Sequence, residues 1–299
     1  MNTKDLTYFS SLVELKNYTL VAKKLHVSQP TITVAIQRLE SEFETTLIER
    51  DRVHNKLSIT QAGTLLYQRA QQILKNLDLV KSEIDQIDKP IIRFGLPQLI
   101  GSIWFPLVIG DLFDKGLMKY IHTTESNSDI LLKQIKNSEL DVALLATVRP
   151  LQSADLDTVL LASHPFKVAV NKNHPLANRK KITFNQLASE KFIMLDDSFI
   201  HRKALDAYSL YADFKPNVIY RSENIDLIKK MVADGYGVSL LLSDSIDNDR
   251  SLVSLQLEEP VAERFNLSLA IRKSFLPNEM QRDFINSLFN LRKIILNNN

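Results

Sequence analysis

A short polar run near the start of the chain has the groups needed to read DNA bases. Gln29, Pro30, Thr31, Thr33, Val34 and Gln37 follow Ser28 at the front and on the polar face of an amphipathic stretch. A glutamine carboxamide pairs bidentately with adenine, and Pro, Val and Thr carbons fit the thymine methyl. Gln29 is the residue expected to touch a base. Thr31 and Thr33 divide between base and phosphate, and Ser28 caps the helix and meets a phosphate. Further on, Arg50, Arg52, His54 and Lys56 cluster around a polar turn, and Arg50, Arg52 and Lys56 supply phosphate or minor-groove contacts. Arg38 has Glu40, Glu42 and Glu44 as neighbours, so pairing with them competes with a phosphate contact.

A second group could hold a small anion. An apolar run over 91–96 leads into Pro97-Gln98-Leu99-Ile100-Gly101-Ser102. There Gly101 permits close backbone approach, the following helix offers free N–H groups, and Ser102 adds a hydroxyl. Ser126-Asn127-Ser128 opens another helix, Thr147 follows a strand, and Ser198, His201 and Arg202 follow a third. Ser102, Ser126 and Thr147 serve equally well as caps or turn residues. His201 is equally at home on a solvated helix. Arg202 and Arg149 are the cationic candidates, so the expected ligand is a carboxylate.

Enzyme chemistry is poorly represented. Cys is absent, which removes thiol nucleophiles, disulfides and thiolate metal sites, and fits a reducing compartment. The His residues at 26, 54, 122, 164, 174 and 201 have no metal-ligand spacing, and no metal or other cofactor is expected. No nucleophile elbow, phosphate loop or dinucleotide fingerprint occurs, and the chain has only 7 Gly from which to build one. Asp196-Asp197 reads as a turn or cap. These absences argue against an enzyme.

The elements that must position these groups are legible from periodicity. Leu6, Phe9, Leu12 and Val13 mark a first helix; a second, with Thr19 as its cap, points Ala22 and Leu25 inward. After the turn His26-Val27-Ser28 comes a third, with Ile32, Ile36, Leu39 and Phe43 on its buried stripe. That is a helix-turn-helix. Residues 47–50 and 56–59 form a two-stranded wing. Thr60 then caps a long helix with Leu66, Ala70, Ile73, Leu77, Val80, Ile84 and Ile87 spaced 4, 3, 4, 3, 4, 3, ending at Lys89-Pro90. That period of 3.5 predicts a coiled coil between two chains, against one amphipathic helix lying on its own domain. From 91 onward strands are expected at 91–96, 118–123, 141–146, 166–171, 192–195, 217–221, 238–242 and 265–272. Helices are expected at 101–115, 128–137, 199–212, 224–234 and 279–295. The alternation implies largely parallel sheets in two small lobes.

Composition agrees with a globular chain: 299 residues, 44% hydrophobic, 24% charged. No apolar run is long enough for a membrane helix and no secretory signal is visible, so a cytoplasmic protein without a membrane partner is expected. Net charge is +2, and residues 1–90 carry 12 Lys/Arg against 11 Asp/Glu. Bulk charge therefore says nothing for DNA, and placement must carry that reading.

Leu6, Phe9, Val13, Tyr18-Thr19-Leu20-Val21-Ala22, Leu25, Val27-Ser28-Gln29-Pro30-Thr31-Ile32-Thr33, Ile36, Leu39-Glu40, Leu47, Arg50, Leu57, Thr60 and Gly63 together resemble the LysR-type transcriptional regulators. Downstream, Asn173-His174-Pro175-Leu176-Ala177 and Met231-Val232-Ala233-Asp234-Gly235-Tyr236-Gly237-Val238 resemble landmarks of their effector domain, so the likeness spans nearly the whole chain. The chain departs from the family at Lys16 and Glu44, where Gly is usual, and at Ile48 and Thr33, which replace Phe and Ser.

The resemblance implies an α/β protein with an N-terminal winged helix-turn-helix (1–60), a coiled-coil linker helix (61–90) and a two-lobed periplasmic-binding-protein-like effector domain (91–299). Lobe one covers 91–163 and 267–299, and lobe two 164–266. It makes Gln98, Gly101, Ser102, Ser126, Thr147, His201 and Arg202 the effector-pocket positions. The partners implied are double-stranded DNA bearing an inverted repeat, a small-molecule effector, further copies of the chain as homodimer or homotetramer, and RNA polymerase. Within the family, MNTKDLTYF and VSQPTITVAIQRLE look most like regulators of malolactic operons, which would make the effector L-malate. A constitutive DNA-binding regulator without an effector is the alternative, ahead of an enzyme built on the two-lobe scaffold.

Overall fold

The computed structural model describes residues 1–51, 56–84, 91–247 and 249–298; at 50, 51, 56, 82, 83 and 298 it describes the backbone alone. The chain divides into two compact units, Met1–Lys89 and Pro90–Asn299.

The first unit opens with α1 (Thr3–Leu15), α2 (Tyr18–Lys24) and α3 (Gln29–Glu42). It continues with the strands β1 (Ile48–Asp51) and β2 (Lys56–Ile59) and the helix α4 (Gln61–Ile84). Leu6, Phe9, Leu12, Val21, Ile32, Ile36, Leu39 and Leu47 form its core. Asn2 and Asp5 cap α1 reciprocally. Asn17, not the expected Thr19, caps α2, its side chain accepting from the Leu20 amide at 3.0 Å. Phe43 ends the stripe of α3 exposed rather than buried, because the helix has already terminated at Glu42.

The two lost glycines leave a mark. Lys16 and Glu44 both adopt left-handed backbone, with φ of 49° and 48°. A side chain there costs roughly 1–2 kcal/mol, which the core around these turns must outweigh. Gly63 is retained for a different reason: a Cβ at that position would lie 2.2 Å from the Leu47 carbonyl oxygen. Antiparallel β1 and β2 pair from Ile48↔Ile59 to Asp51↔Lys56.

The heptad stripe of α4 divides. Leu66 and Ala70, joined by Leu74, pack into the core of their own unit. Ile73, Leu77, Val80 and Ile84 are exposed. Ile87 and the helix end at Lys89-Pro90 lie outside the described residues.

The second unit begins with β3 (Ile92–Leu96), α5 (Gln98–Ile103), α6 (Pro106–Asp114), β4 (Ile121–Glu125), α7 (Ser128–Lys136), β5 (Val142–Thr147) and β6 (Leu156–His164). It continues with β7 (Phe166–Asn171), β8 (Lys181–Ile182), β9 (Lys191–Leu195), α8 (His201–Ala212), β10 (Asn217–Ser222) and α9 (Ile225–Ala233). It closes with β11 (Ser239–Leu242), α10 (Ser243–Ile246), β12 (Leu252–Leu257), β13 (Phe265–Arg272) and α11 (Glu279–Asn298). Lobe one holds a five-stranded sheet ordered β4-β3-β5-β13-β6; lobe two holds β11-β7-β12-β8 beside the pair β10-β9. The chain crosses between lobes at Pro165 and returns before Phe265.

Three expectations need correction. The sheets are mixed rather than largely parallel, since β13 runs antiparallel to β5 and β6, and β7 to β11 and β12. The helix expected over 101–115 is two helices starting at Gln98. Pro106 lacks an N–H and opens α6, so the chain bends at Trp104-Phe105. His164 pairs with Phe265, and Asn266 with Ser163, so His164, Phe265 and Asn266 belong to lobe one and not to lobe two. No helix among the described residues is long and apolar enough to cross a membrane.

Candidate functional site

The first candidate surface is the N-terminal half of α3. His26, with φ of 54°, turns the chain from α2 into Ser28. Ser28 Oγ accepts from the Thr31 amide at 3.3 Å and shares a hydrogen bond with Thr31 Oγ1 at 2.8 Å. Pro30 sits in the first turn, where a missing N–H is harmless. Gln29, Pro30, Val34 and Gln37 are exposed, while Thr31 and Thr33 are half-buried. Thr33 Oγ1 donates to the Gln29 carbonyl at 3.3 Å, so both threonine hydroxyls serve the helix itself. Thr19 Oγ1 reaches Gln29 Oε1 at 3.5 Å and steadies the carboxamide from α2.

Arg38 has a structural partner that its neighbours did not reveal. Its Nη2 lies 2.7 Å from Oδ1 of Asp5, a fully buried carboxylate. Glu40 is also committed, its Oε1 accepting from the amides of Leu47 and Ile48. These contacts fasten α3 to α1 and to the wing. Arg52 and His54, and the side chains of Arg50 and Lys56, lie outside the described residues.

The second candidate site is a cavity of about 440 Å³ in the second unit. Its wall comes from Pro97–Ile100, Glu125–Ser128, Ser198–His201 and Glu223, with Ile130, Ala146 and Phe265. The four segments are strand ends leading into α5, α7, α8 and α9, the position where ligands bind in open α/β sheets. Asn127 Oδ1 caps α7 by accepting from the Ile130 amide, and buried Ser128 Oγ accepts from Ala146 across to β5. Lys203 Nζ of α8 lies 3.3 Å from Asp129 in α7, an exposed ion pair from one lobe to the other.

Of the expected pocket residues, the structure brings Gln98, Ser126 and His201 together in the cavity wall. Gly101, Ser102, Thr147 and Arg202 are not in it. Because α5 starts at Gln98, Gly101 and Ser102 fall inside that helix, and Ser102 Oγ donates to the Leu99 carbonyl. Thr147 Oγ1 donates to the Arg149 carbonyl at 2.6 Å, and Arg149 pairs with Glu263. Arg202 is held by Asp197 at 2.6 Å and Asp206 at 3.0 Å, away from the cavity. Among the described residues no Lys or Arg lines the cavity, so the cationic environment expected for a carboxylate does not assemble from them. Glu125 and Glu223 line it instead. Both were missed, although Glu125 ends β4 two residues before the helix cap Asn127, and Glu223 follows β10 directly before the helix cap Asn224.

His201 is completely buried, and neither ring nitrogen has a hydrogen-bond partner among the described residues. It packs edge-on against Phe166 at 5.2 Å and Phe265 at 6.2 Å. Phe265 in turn meets Trp104 at 5.5 Å, and Trp104 meets His164 at 5.6 Å. The rings thus run unbroken from the cavity wall to both points where the chain crosses between lobes. Burial pushes the His201 imidazole down to about 3, so it is neutral near pH 7. The unfolded chain binds a proton below about 6.5 that the folded one refuses, so stability must fall with pH between those values. His201→Leu should flatten that fall by up to about 1.4 kcal/mol per pH unit, read from urea unfolding at pH 7, 6 and 5. Equal slopes in both proteins would contradict the assignment.

Residues 3–64 match the family described as "Bacterial regulatory helix-turn-helix protein, lysR family", and residues 87–291 the "LysR substrate binding domain". The chain belongs to the LysR family of transcriptional regulators. It is therefore a DNA-binding transcriptional regulator with an effector-binding domain, not an enzyme; LysR-type regulators bind DNA and small-molecule effectors and act as oligomers. Similar curated proteins include the "Malolactic fermentation system transcriptional activator" of Lactococcus lactis, 29% identical over 98% of this chain and 99% of that one. A "Hydrogen peroxide-inducible genes activator" of Pectobacterium carotovorum is 32% identical over 84% and 82%. Among solved structures, HinK, a LysR family regulator from Pseudomonas aeruginosa, covers 98% of both chains with a TM-score of 0.55 and 23% identity. The effector-binding domain of QuiR in complex with shikimate covers 68% of this chain and 97% of that one, with a TM-score of 0.57 and 21% identity. These two share the fold of this LysR-type chain.

Proposed function

We propose that this chain regulates transcription by laying α3 in the major groove of an inverted-repeat operator, its output set by a small molecule in the cavity of the second unit. The carrying observation is the exposed set Gln29, Pro30, Val34 and Gln37 on the first turns of α3, beside an N-cap and tight turn that fix the helix in place. Gln29 and Gln37 read base edges, Pro30 and Val34 contact thymine methyls, and Ser28, Thr31 and Thr33 hold the helix and approach phosphates. Arg50, Arg52 and Lys56 on the wing add phosphate contacts. The exposed seam of α4 pairs with that of a second copy, so two half-sites are read at once, and dimers associate further into tetramers. RNA polymerase is the partner through which promoter output changes, and the cytoplasm is the compartment.

Gln98, Ser126 and His201 are the effector contacts that the cavity supports. The likeness to the malolactic activator favours a second, narrower reading in which the effector is L-malate. A thiol response to peroxide, whatever the relatives named for hydrogen peroxide use, is closed to a chain without Cys.

Selection from a random duplex library with the full-length protein tests the DNA reading. An enriched inverted repeat is expected; a pool without two-fold symmetry would contradict it. On the selected site, Gln29→Ala should weaken binding by roughly ten- to a hundredfold while leaving affinity for random duplex unchanged. Equal loss on both, measured by fluorescence anisotropy, would remove Gln29 from base reading.

A further inference from the structure

Arg38 is held from within and open without. Its Nη2 donates to Oδ1 of Asp5, and the other oxygen of that carboxylate accepts from the Asn2 amide at 2.9 Å. The Asp5 side chain is wholly buried, whereas that of Arg38 is 49% exposed. A guanidinium carries its N–H donors in one rigid plane. Only Nη2 has a hydrogen bond among the described residues, so Nε and Nη1 keep their donors for a further acceptor. The acidic neighbours do not supply it. Glu40 Oε1 is taken by the amides of Leu47 and Ile48, and Glu42 receives the Met1 amino group at 3.3 Å. Glu44 stands in the left-handed turn beyond the helix.

The place of Arg38 on α3 says what the acceptor is. It lies four residues after Val34 and seven after Thr31, so the three share one flank of the helix. An α-helix with its side chains is about 10–12 Å across and the major groove about 12 Å wide. A helix seated there turns its centre to base edges and its flanks to the sugar-phosphate walls. A guanidinium fork matches a phosphate bidentately. Asp5 fixes one edge of that fork before DNA arrives, so less side-chain freedom is lost on contact.

We propose that Arg38 binds a DNA phosphate and that buried Asp5 is its positioning residue, which rests on the reading that α3 lies in the major groove. The pair is neutral as a whole, so it adds a phosphate contact without adding to the net charge of +2.

The salt dependence of DNA binding by the full-length protein tests this, read by fluorescence anisotropy on the selected operator and on random duplex. Arg38→Ala alone would strand a buried carboxylate, so the variant used is Asp5→Asn/Arg38→Gln, which leaves net charge unchanged and no buried charge unpaired. Its folding is verified by a thermal melt. Losing one phosphate contact per chain lowers the slope of log affinity against log salt by about 0.9, or about 1.8 for a dimer. Affinity at 0.1 M salt should fall roughly five- to tenfold per chain, equally on both duplexes. Arg38→Lys keeps a counter-charge for Asp5 and should keep the slope, yet lose affinity severalfold on both duplexes, because an ammonium lacks the fork. A folded double variant with the parental slope overturns the proposal, whether its affinity is unchanged or falls on the selected operator alone. The second pattern would mean that the pair only seats α3 for base reading. Parental affinity in Arg38→Lys also overturns it. If the parent protein binds neither duplex, the DNA reading fails and this proposal with it.

Discussion

Ile73→Asp combined with Val80→Asp is expected to turn the protein into monomers and to lower its affinity for an inverted-repeat operator by roughly a hundred- to ten-thousandfold. Ile73, Val80 and Ile84 are 44%, 50% and 61% exposed, and with Leu77 they form one apolar line along α4 beyond the part that packs on its own unit. Burying each such side chain against a partner contributes about 1.5–3 kcal/mol, and the line occurs once in every chain. Two aspartates per helix remove that gain and place like charges in the seam. A monomer then reads one half-site and loses the effective concentration that tethers the second. Sedimentation velocity at micromolar concentration measures the oligomer and anisotropy measures the affinity. A double variant that still sediments as a dimer would show that the seam is not the contact.

Asp141→Ala is expected to destabilise the second unit by about 3–5 kcal/mol. Asp141 is 3% exposed and lies where β3, β5 and β13 converge. Its Oδ2 accepts from Arg93 Nε at 3.0 Å, its Oδ1 from Arg93 Nη2, and Arg272 Nη2 approaches at 3.5 Å. Removing the carboxylate leaves two guanidinium groups, 20% and 5% exposed, without their shared counter-charge. For a unit of this size the expected fall in Tm is roughly 10 °C. Buried Trp104 supplies the melting signal. A melting temperature within a degree or two of the parent's would mean that water or another acceptor replaces Asp141.

The first unit was legible because its signals are local: Ser28 and Pro30 mark a helix start, and the 3–4 spacing of Leu6, Phe9 and Leu12 marks a face. Arg38 was misread for the opposite reason, since its partner Asp5 is 33 residues away and only tertiary packing joins them. In the second unit β6 and β12 escaped notice. Their alternation is broken by adjacent apolar pairs, Val159-Leu160 and Leu252-Val253, and they pair with strands far along the chain. The strand-end principle led to the segments that line the cavity, and of the residues it named Gln98, Ser126 and His201 lie in the wall while Gly101, Ser102, Thr147 and Arg202 do not. Starting α5 three residues late made Gly101 and Ser102 its opening turn, whereas they lie inside the helix that Gln98 opens. The same principle, applied to β4 and β10, would have found Glu125 and Glu223.

Lobe two is spliced into lobe one. The chain leaves the first sheet at His164 and rejoins it at Phe265, while β3 at one end and α11 at the other both pack within lobe one. Whatever reorientation a ligand imposes on lobe two has just two covalent tethers through which to act, and aromatic rings flank both. Lobe two is thus a replaceable module: its part of the cavity wall can drift toward a new ligand while the sheet of lobe one stays the same.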